Sequence, residues 1–236
     1  MANSPRLGLP LLQAAQAQKH VTVNEALVRL DGLCQLVLKS VDVTLPPAVA
    51  ADGDCYGVPA GAVNEWAGRE GEVALYANGG WIFAAPGRGW RAWVEDVSAP
   101  AVFDGSAWAK GVVALSPKNA ATVFEVVELD HVVTAGTTNA VAAAIPAHSI
   151  VFGVTGRVTT AITGTLTSWR LGVAGSDNRY GSGLGLGQGS WLRGLTGAPQ
   201  AYYADTDLLL TGEGGDFADG GLRLSVHLMR LGLPGM

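Results

Sequence analysis

The stretch Leu222-Arg223-Leu224-Ser225-Val226-His227-Leu228 alternates apolar and polar residues without a break. Successive side chains of a β-strand point to opposite faces, so this period of two predicts a strand. Its leucines and valine face inward, and Arg223, Ser225 and His227 face outward. Working back along the chain, Phe124 to Val133, Ser149 to Val158, Leu166 to Val173, Ala201 to Leu210 and Gly221 to Leu231 are strand candidates separated by turn-rich loops. Such a series predicts an antiparallel β-sandwich, jelly-roll-like, over residues 116–236. The Gly-rich stretch Gly172 to Gly197 reads as long loops, the usual place for recognition.

The rest of the chain has a different texture. Ala26, Leu27, Leu30, Leu33, Cys34, Val37 and Leu38 recur at three- and four-residue steps, which predicts a helix within Leu11 to Ser40. Thr22 and Glu25 have capping-box spacing, and Gln13 to Lys19 reads as a preceding turn or an extension of that helix. Pro46 and Pro47 then end helical structure. From Gly53 to Lys110, short apolar runs are punctuated by Gly, Asn-Gly and Asp-Gly. Leu75-Tyr76-Ala77-Asn78-Gly79-Gly80-Trp81 is echoed by Val102-Phe103-Asp104-Gly105-Ser106-Ala107-Trp108. Each copy predicts a hairpin, because Asn-Gly and Asp-Gly tolerate the positive φ of a type I′ turn. Gly89 to Val94 alternates as a strand would. The expectation is mainly β, in three parts: a helical segment over 1–50, a small antiparallel Trp-rich module over 51–115 and the sandwich over 116–236.

Composition narrows the function classes. Charged residues make up 15% of the 236, well below the roughly 25% usual for soluble domains, while 48% are hydrophobic. That profile excludes disorder and fits a chain with surface buried against partner subunits. A net charge of −5 gives no electrostatic reason to expect nucleic acid. No apolar run is long enough for a membrane span, and Met1 to Pro10 lacks the features of a secretion signal. Cys34 and Cys55 read as ordinary thiols of a protein made in a reducing cytosol.

Catalytic signatures are sparse. His20, His131, His148 and His227 have no metal-site spacing, and no Gly-x-Ser-x-Gly elbow is present. The run Gly181 to Gly187 lacks the third glycine of a dinucleotide fingerprint and opens no helix. Candidate carboxylate pairs for glycoside hydrolysis are Glu95 with Asp96, Asp205 with Asp207, and Glu213 with Asp216. A turn or a solvated face accounts for each as well. The expectation is a non-enzyme with no cofactor and no metal.

Aromatic residues are the remaining signal, because Trp and Tyr rings stack on sugar faces while polar neighbours bond the hydroxyls. Trp66, Trp81, Trp90, Trp93 and Trp108 fall at regular places in the hairpin module, where core packing is the simpler account. The second set is Asp177, Asn178, Arg179, Tyr180, Trp191, Arg193, Tyr202 and Tyr203, within or beside the Gly-rich stretch. These are the candidate glycan-binding residues; loop packing or a subunit interface is the alternative.

Three groups of residues carry a family resemblance. Arg6-Leu7-Gly8-Leu9-Pro10-Leu11-Leu12, Gln16-Ala17-Gln18-Lys19 and Asn24-Glu25-Ala26-Leu27 form the first. Gly89 to Asp96 with Phe103 to Trp108 form the second, and Ile150 to Val154, Tyr203 to Thr206 and Gly214 to Phe217 the third. Together they resemble the head-spike or fibre family of alphaproteobacterial prophages and gene transfer agents, often described only as a domain of unknown function. The resemblance implies a homotrimeric component of a phage-like particle, made in the cytoplasm and released with the particle. It implies an N-terminal attachment to a capsid or spike-base protein and a C-terminal contact with the recipient's capsular polysaccharide. A structural connector without glycan binding, or a capsule depolymerase, are the alternatives.

Overall fold

The computed structural model describes residues 3–12 and 19–235. These fall into two compact units, residues 1–112 and 113–236. The expected extension over Gln13 to Gln18 lies outside the described residues.

In the N-terminal unit, helix α1 (Lys19–Leu33) is followed by β1 (Val37–Leu38) and β2 (Cys55–Gly57). A 3-10 turn at Asn64–Trp66 precedes β3 (Val73–Ala77), β4 (Gly80–Ala84), β5 (Arg91–Val94), β6 (Ala99–Phe103) and β7 (Trp108–Lys110). Two small sheets result, ordered β2-β3-β4 and β1-β5-β6-β7. All pairings are antiparallel except β1 with β5, which is parallel. Val28, Leu36, Leu38, Cys55, Leu75, Val94, Phe103 and Trp108 belong to one buried cluster, so the helical segment and the Trp-rich strands share a core.

The helix differs from the expectation in three ways. It is already formed at Lys19, so Thr22 is interior rather than a cap. It ends at Leu33, and Val37 and Leu38 form an edge strand whose backbone pairs with Trp93 and Val94. Its inward face is not the apolar stripe: Val28, Asp31 and Gly32 are buried, whereas Ala26, Leu30 and Cys34 are exposed. Gly32 is the reason. A Cβ there would meet the Leu75 side chain at 2.6 Å, so the helix packs on β3 along its smallest residue.

The echoed hairpins pair alike and turn differently. Tyr76 faces Trp81 and Phe103 faces Trp108 as cross-strand partners, with ring centroids 5.0 and 5.4 Å apart. Asn78 and Gly79 have φ of 52° and 80°, the type I′ turn predicted. In the second hairpin the tip moves one residue on, to Gly105-Ser106. Asp104 keeps a negative φ, and its carboxylate accepts from the Ser106 and Ala107 amides.

Strand β8 (Val112–Leu115) begins at the unit boundary, and the C-terminal unit goes on with β9 (Ala121–Val133), β10 (Thr138–Ile145), β11 (Ser149–Gly164) and β12 (Ser168–Val173). It continues with β13 (Ser176–Leu184), β14 (Trp191–Tyr202), β15 (Thr206–Glu213) and β16 (Phe217–Leu231). One sheet is ordered β14-β11-β16-β9-β8 and the other β10-β15-β12-β13. Numbered one to eight from β9, the long strands run 6-3-8-1 in one sheet and 2-7-4-5 in the other. That is the strand order of a jelly roll, and every pairing given for its long strands is antiparallel. The quoted stretch lies in β16 with its expected phase: Leu222, Leu224, Val226 and Leu228 are buried and Arg223 is exposed. A single core of Val, Leu and Ile from both sheets, with Trp169 and Tyr180, fills the space between them.

The expected loops over Gly172 to Gly197 are instead mostly strand, since β13 and most of β14 fall within them. Strand β10 lacked a signal of its own. Glycine in β13 and β14 serves close backbone approach rather than looseness: a Cβ on Gly194 would lie 2.1 Å from the Tyr180 carbonyl oxygen.

Candidate functional site

Strand phase decides which candidate residues can meet a ligand. On β14, Trp191, Arg193 and Leu195 are exposed while Leu192 and Gly194 are buried. Trp191 is 66% exposed, and the Arg193 guanidinium lies 5.8 Å from its ring centroid.

The antiparallel register builds a site around this ring. Arg157 on β11 is the cross-strand partner of Trp191, and Arg223 on β16 is the partner of Arg157. One row on, Arg193 faces Thr155, Thr155 faces Ser225, and Ser225 faces Glu128 on β9. These seven side chains line an open depression of about 660 Å³ on the outer face of the five-stranded sheet. Its far wall carries a network: Arg223 donates through Nε and Nη2 to Asp130 at 2.7 and 2.9 Å. Hydrogen bonding and attraction from Arg223 hold the Asp130 carboxyl below its ordinary range. Next to the depression, Thr155 Oγ1 and His227 Nε2 are 3.0 Å apart.

The other candidates are elsewhere. Tyr180 and Tyr202 are 2% and 8% exposed and point into the core, where their hydroxyls share a 2.8 Å hydrogen bond. Burial, reinforced by that bond, pushes the Tyr180 hydroxyl far above its usual range. Arg179 donates to Tyr202 Oη and Gln200 Oε1, joining β13 to β14. Asp177 pairs with Arg170 at 2.7 Å on the four-stranded sheet. Asn178 and Tyr203 are exposed, with Tyr203 outside any strand. Thus Trp191 and Arg193 are brought together, Arg179, Tyr180 and Tyr202 form a structural network, and Asp177 belongs to neither group.

Arg157, Arg223, Thr155, Ser225 and Glu128 were not identified from the sequence. Arg223 and Ser225 were legible as outward residues, but only the register places them beside Trp191.

Of the carboxylate pairs, Asp207 accepts from the Ala143 amide and Asp205 from the Ala147 amide, both at 2.8 Å. Ala143 has φ of 49° at an irregularity in β10, so Asp207 holds a strained bend in place. Glu213 accepts from Ser168 Oγ at 2.6 Å and the Gly183 amide at 2.9 Å, which lowers its pKa. Glu95 pairs with Lys39 at 2.8 Å. Burial pushes the Cys55 thiol up to about 11, whereas Cys34 is exposed. No helix among the described residues is long and apolar enough to cross a membrane.

No curated protein matches the chain. A solved chain described as "Cyanophage Pam1 capsid asymmetric unit" aligns at 23% identity over 47% of this chain and 86% of its own, with a TM-score of 0.33. A score of that size establishes neither a common fold nor a common function. Residues 23–109, within the N-terminal unit, match the family described as "Protein of unknown function (DUF2793)".

Proposed function

We propose that this chain is a surface component of a phage-like particle, a head-spike or fibre protein that binds a recipient cell's capsular polysaccharide. The observation that carries the reading is Trp191, standing exposed over a depression lined by arginines and hydroxyls. An indole face with flanking donors is the arrangement that a sugar ring takes: stacking below, hydrogen bonds at the edge. The motifs that resemble those of the spike family support the particle part of the reading. In this reading the N-terminal unit attaches to a capsid or spike-base protein, and a homotrimer multiplies weak single-site binding. The protein acts by adhesion and has no catalytic step; the carboxylates Asp205 and Asp207 are engaged with the Ala147 and Ala143 backbone amides.

A connector without glycan binding is the second reading. It is favoured by the apolar end of the same sheet face, where Phe124 stacks on Phe152 and Val126 and Leu195 are exposed. Particles carrying Trp191→Ala separate the two. Adhesion predicts assembled particles that adsorb poorly; a buried connector surface predicts failed assembly with adsorption unchanged in the particles that do form.

A further inference from the structure

The charges around Trp191 are unequal in how they are satisfied, and that inequality points to a ligand class. Arg223 is neutralised by Asp130, with Glu128 3.8 Å from its Nε. Arg157 and Arg193 have no carboxylate within ion-pair distance among the described residues. Arg157 reaches only the Gly189 carbonyl, at 3.5 Å, and Arg193 only the Trp191 ring. Arg157 is directly across from Trp191, and Arg193 is two residues further along β14, so the two arginines are diagonal neighbours on one face. Diagonal positions on a sheet are about 7–8 Å apart, within reach of one anion held by two long side chains.

We infer that this depression selects an anionic glycan: a sugar ring stacks on Trp191 while its carboxylate takes hydrogen bonds from Arg157 and Arg193. The inference rests on the glycan reading of the same site and adds the ligand's charge. A planar guanidinium matches a carboxylate bidentately, which an ammonium does not. The chain's net charge of −5 makes the positive spot local. A nucleic acid backbone needs a track of several cations instead, and here only two are unpaired.

The test uses the full chain and four acidic polysaccharides: alginate, polygalacturonate, hyaluronan and polysialic acid. Each is presented intact and after reduction of its carboxylates to alcohols, beside a thymidine oligonucleotide. The expected result is binding of at least one intact polymer about tenfold tighter than its reduced form, weakened by salt. Arg157→Ala and Arg193→Ala should each cost about tenfold, and Arg157→Lys should restore only part of the loss. Arg91→Ala, an equal charge change in the N-terminal unit, is the control. Equal binding of intact and reduced polymers overturns the anionic inference and leaves the glycan reading standing. Binding of none overturns both, and tighter binding of the oligonucleotide replaces the glycan with a nucleic acid.

Discussion

The inner and outer faces of the jelly roll use the same residue types for opposite ends. Trp169 on β12 is 1% exposed, and its indole N–H donates to the Gly185 carbonyl at 3.0 Å, so ring and donor are both satisfied. Trp191 on β14 leaves its ring in solvent beside arginines that lack carboxylates. The N-terminal unit makes a third contrast, since a buried polar clasp fastens its first residues. The Asp31 carboxylate, 1% exposed, accepts from Ser4 Oγ, the Arg6 amide and the Leu7 amide at 2.6, 2.9 and 2.5 Å. Arg6 in turn donates to the carbonyls of Gly32 and Gln35 near the end of α1. At these three places the polar groups of Trp169 and Asp31 are engaged within the fold, whereas the arginines beside Trp191 are left without a carboxylate.

Substitutions can break this contrast, and their expected effects on stability fall in order. Trp169→Ala should destabilise the C-terminal unit by about 3–5 kcal/mol, the cost of a large core cavity, as read by denaturant unfolding. Asp31→Ala should cost about 3 kcal/mol, because three donors lose a charged acceptor. Hydrogen exchange should place that loss in residues 3–12 and α1 while the jelly roll is unchanged.

Acid should reproduce the Asp31 effect. Burial raises the Asp31 pKa, but hydrogen bonds from Ser4, Leu7 and Arg6, with the Arg6 charge, outweigh it and the net shift is downward. A folded pKa below the unfolded value gives stability that is complete above about pH 4 and lost as pH falls through the folded pKa. Exchange in residues 3–12 should therefore rise below about pH 4 in the parent and show no such step in Asp31→Ala. Tyr180→Phe should cost about 1 kcal/mol, the net worth of the hydroxyl pair, in thermal unfolding. Trp191→Ala should change stability by less than about 0.5 kcal/mol, as exposed positions do, and should act on binding instead.

Much of the fold was legible because the long strands carry clean alternation. Residues Leu222 to Leu228 gave both the strand and its phase. Gly181, Gly183 and Gly194 misled the reading, since glycine weakens a local strand signal even inside a regular strand. The stripe on α1 was misassigned because packing along Gly32 turns Leu30 to solvent. For the site, only Trp191 and Arg193 were visible, two residues apart in a stretch read as loop; the structure puts them on one strand. Arg157 is 34 positions from Trp191, so their pairing depends on register. Tyr180 and Tyr202 looked like ligand contacts because a Tyr pattern does not reveal which side of a strand it occupies.

The central claim is that the outer face around Trp191 grips polysaccharide, and adsorption to encapsulated cells tests it most directly. Purified full-length protein should bind cells carrying their capsule and not acapsular derivatives, and Trp191→Ala should abolish that binding while its unfolding curve overlays the parent's. Equal binding of Trp191→Ala and parent to encapsulated cells, or of the parent to cells with and without capsule, would contradict the account.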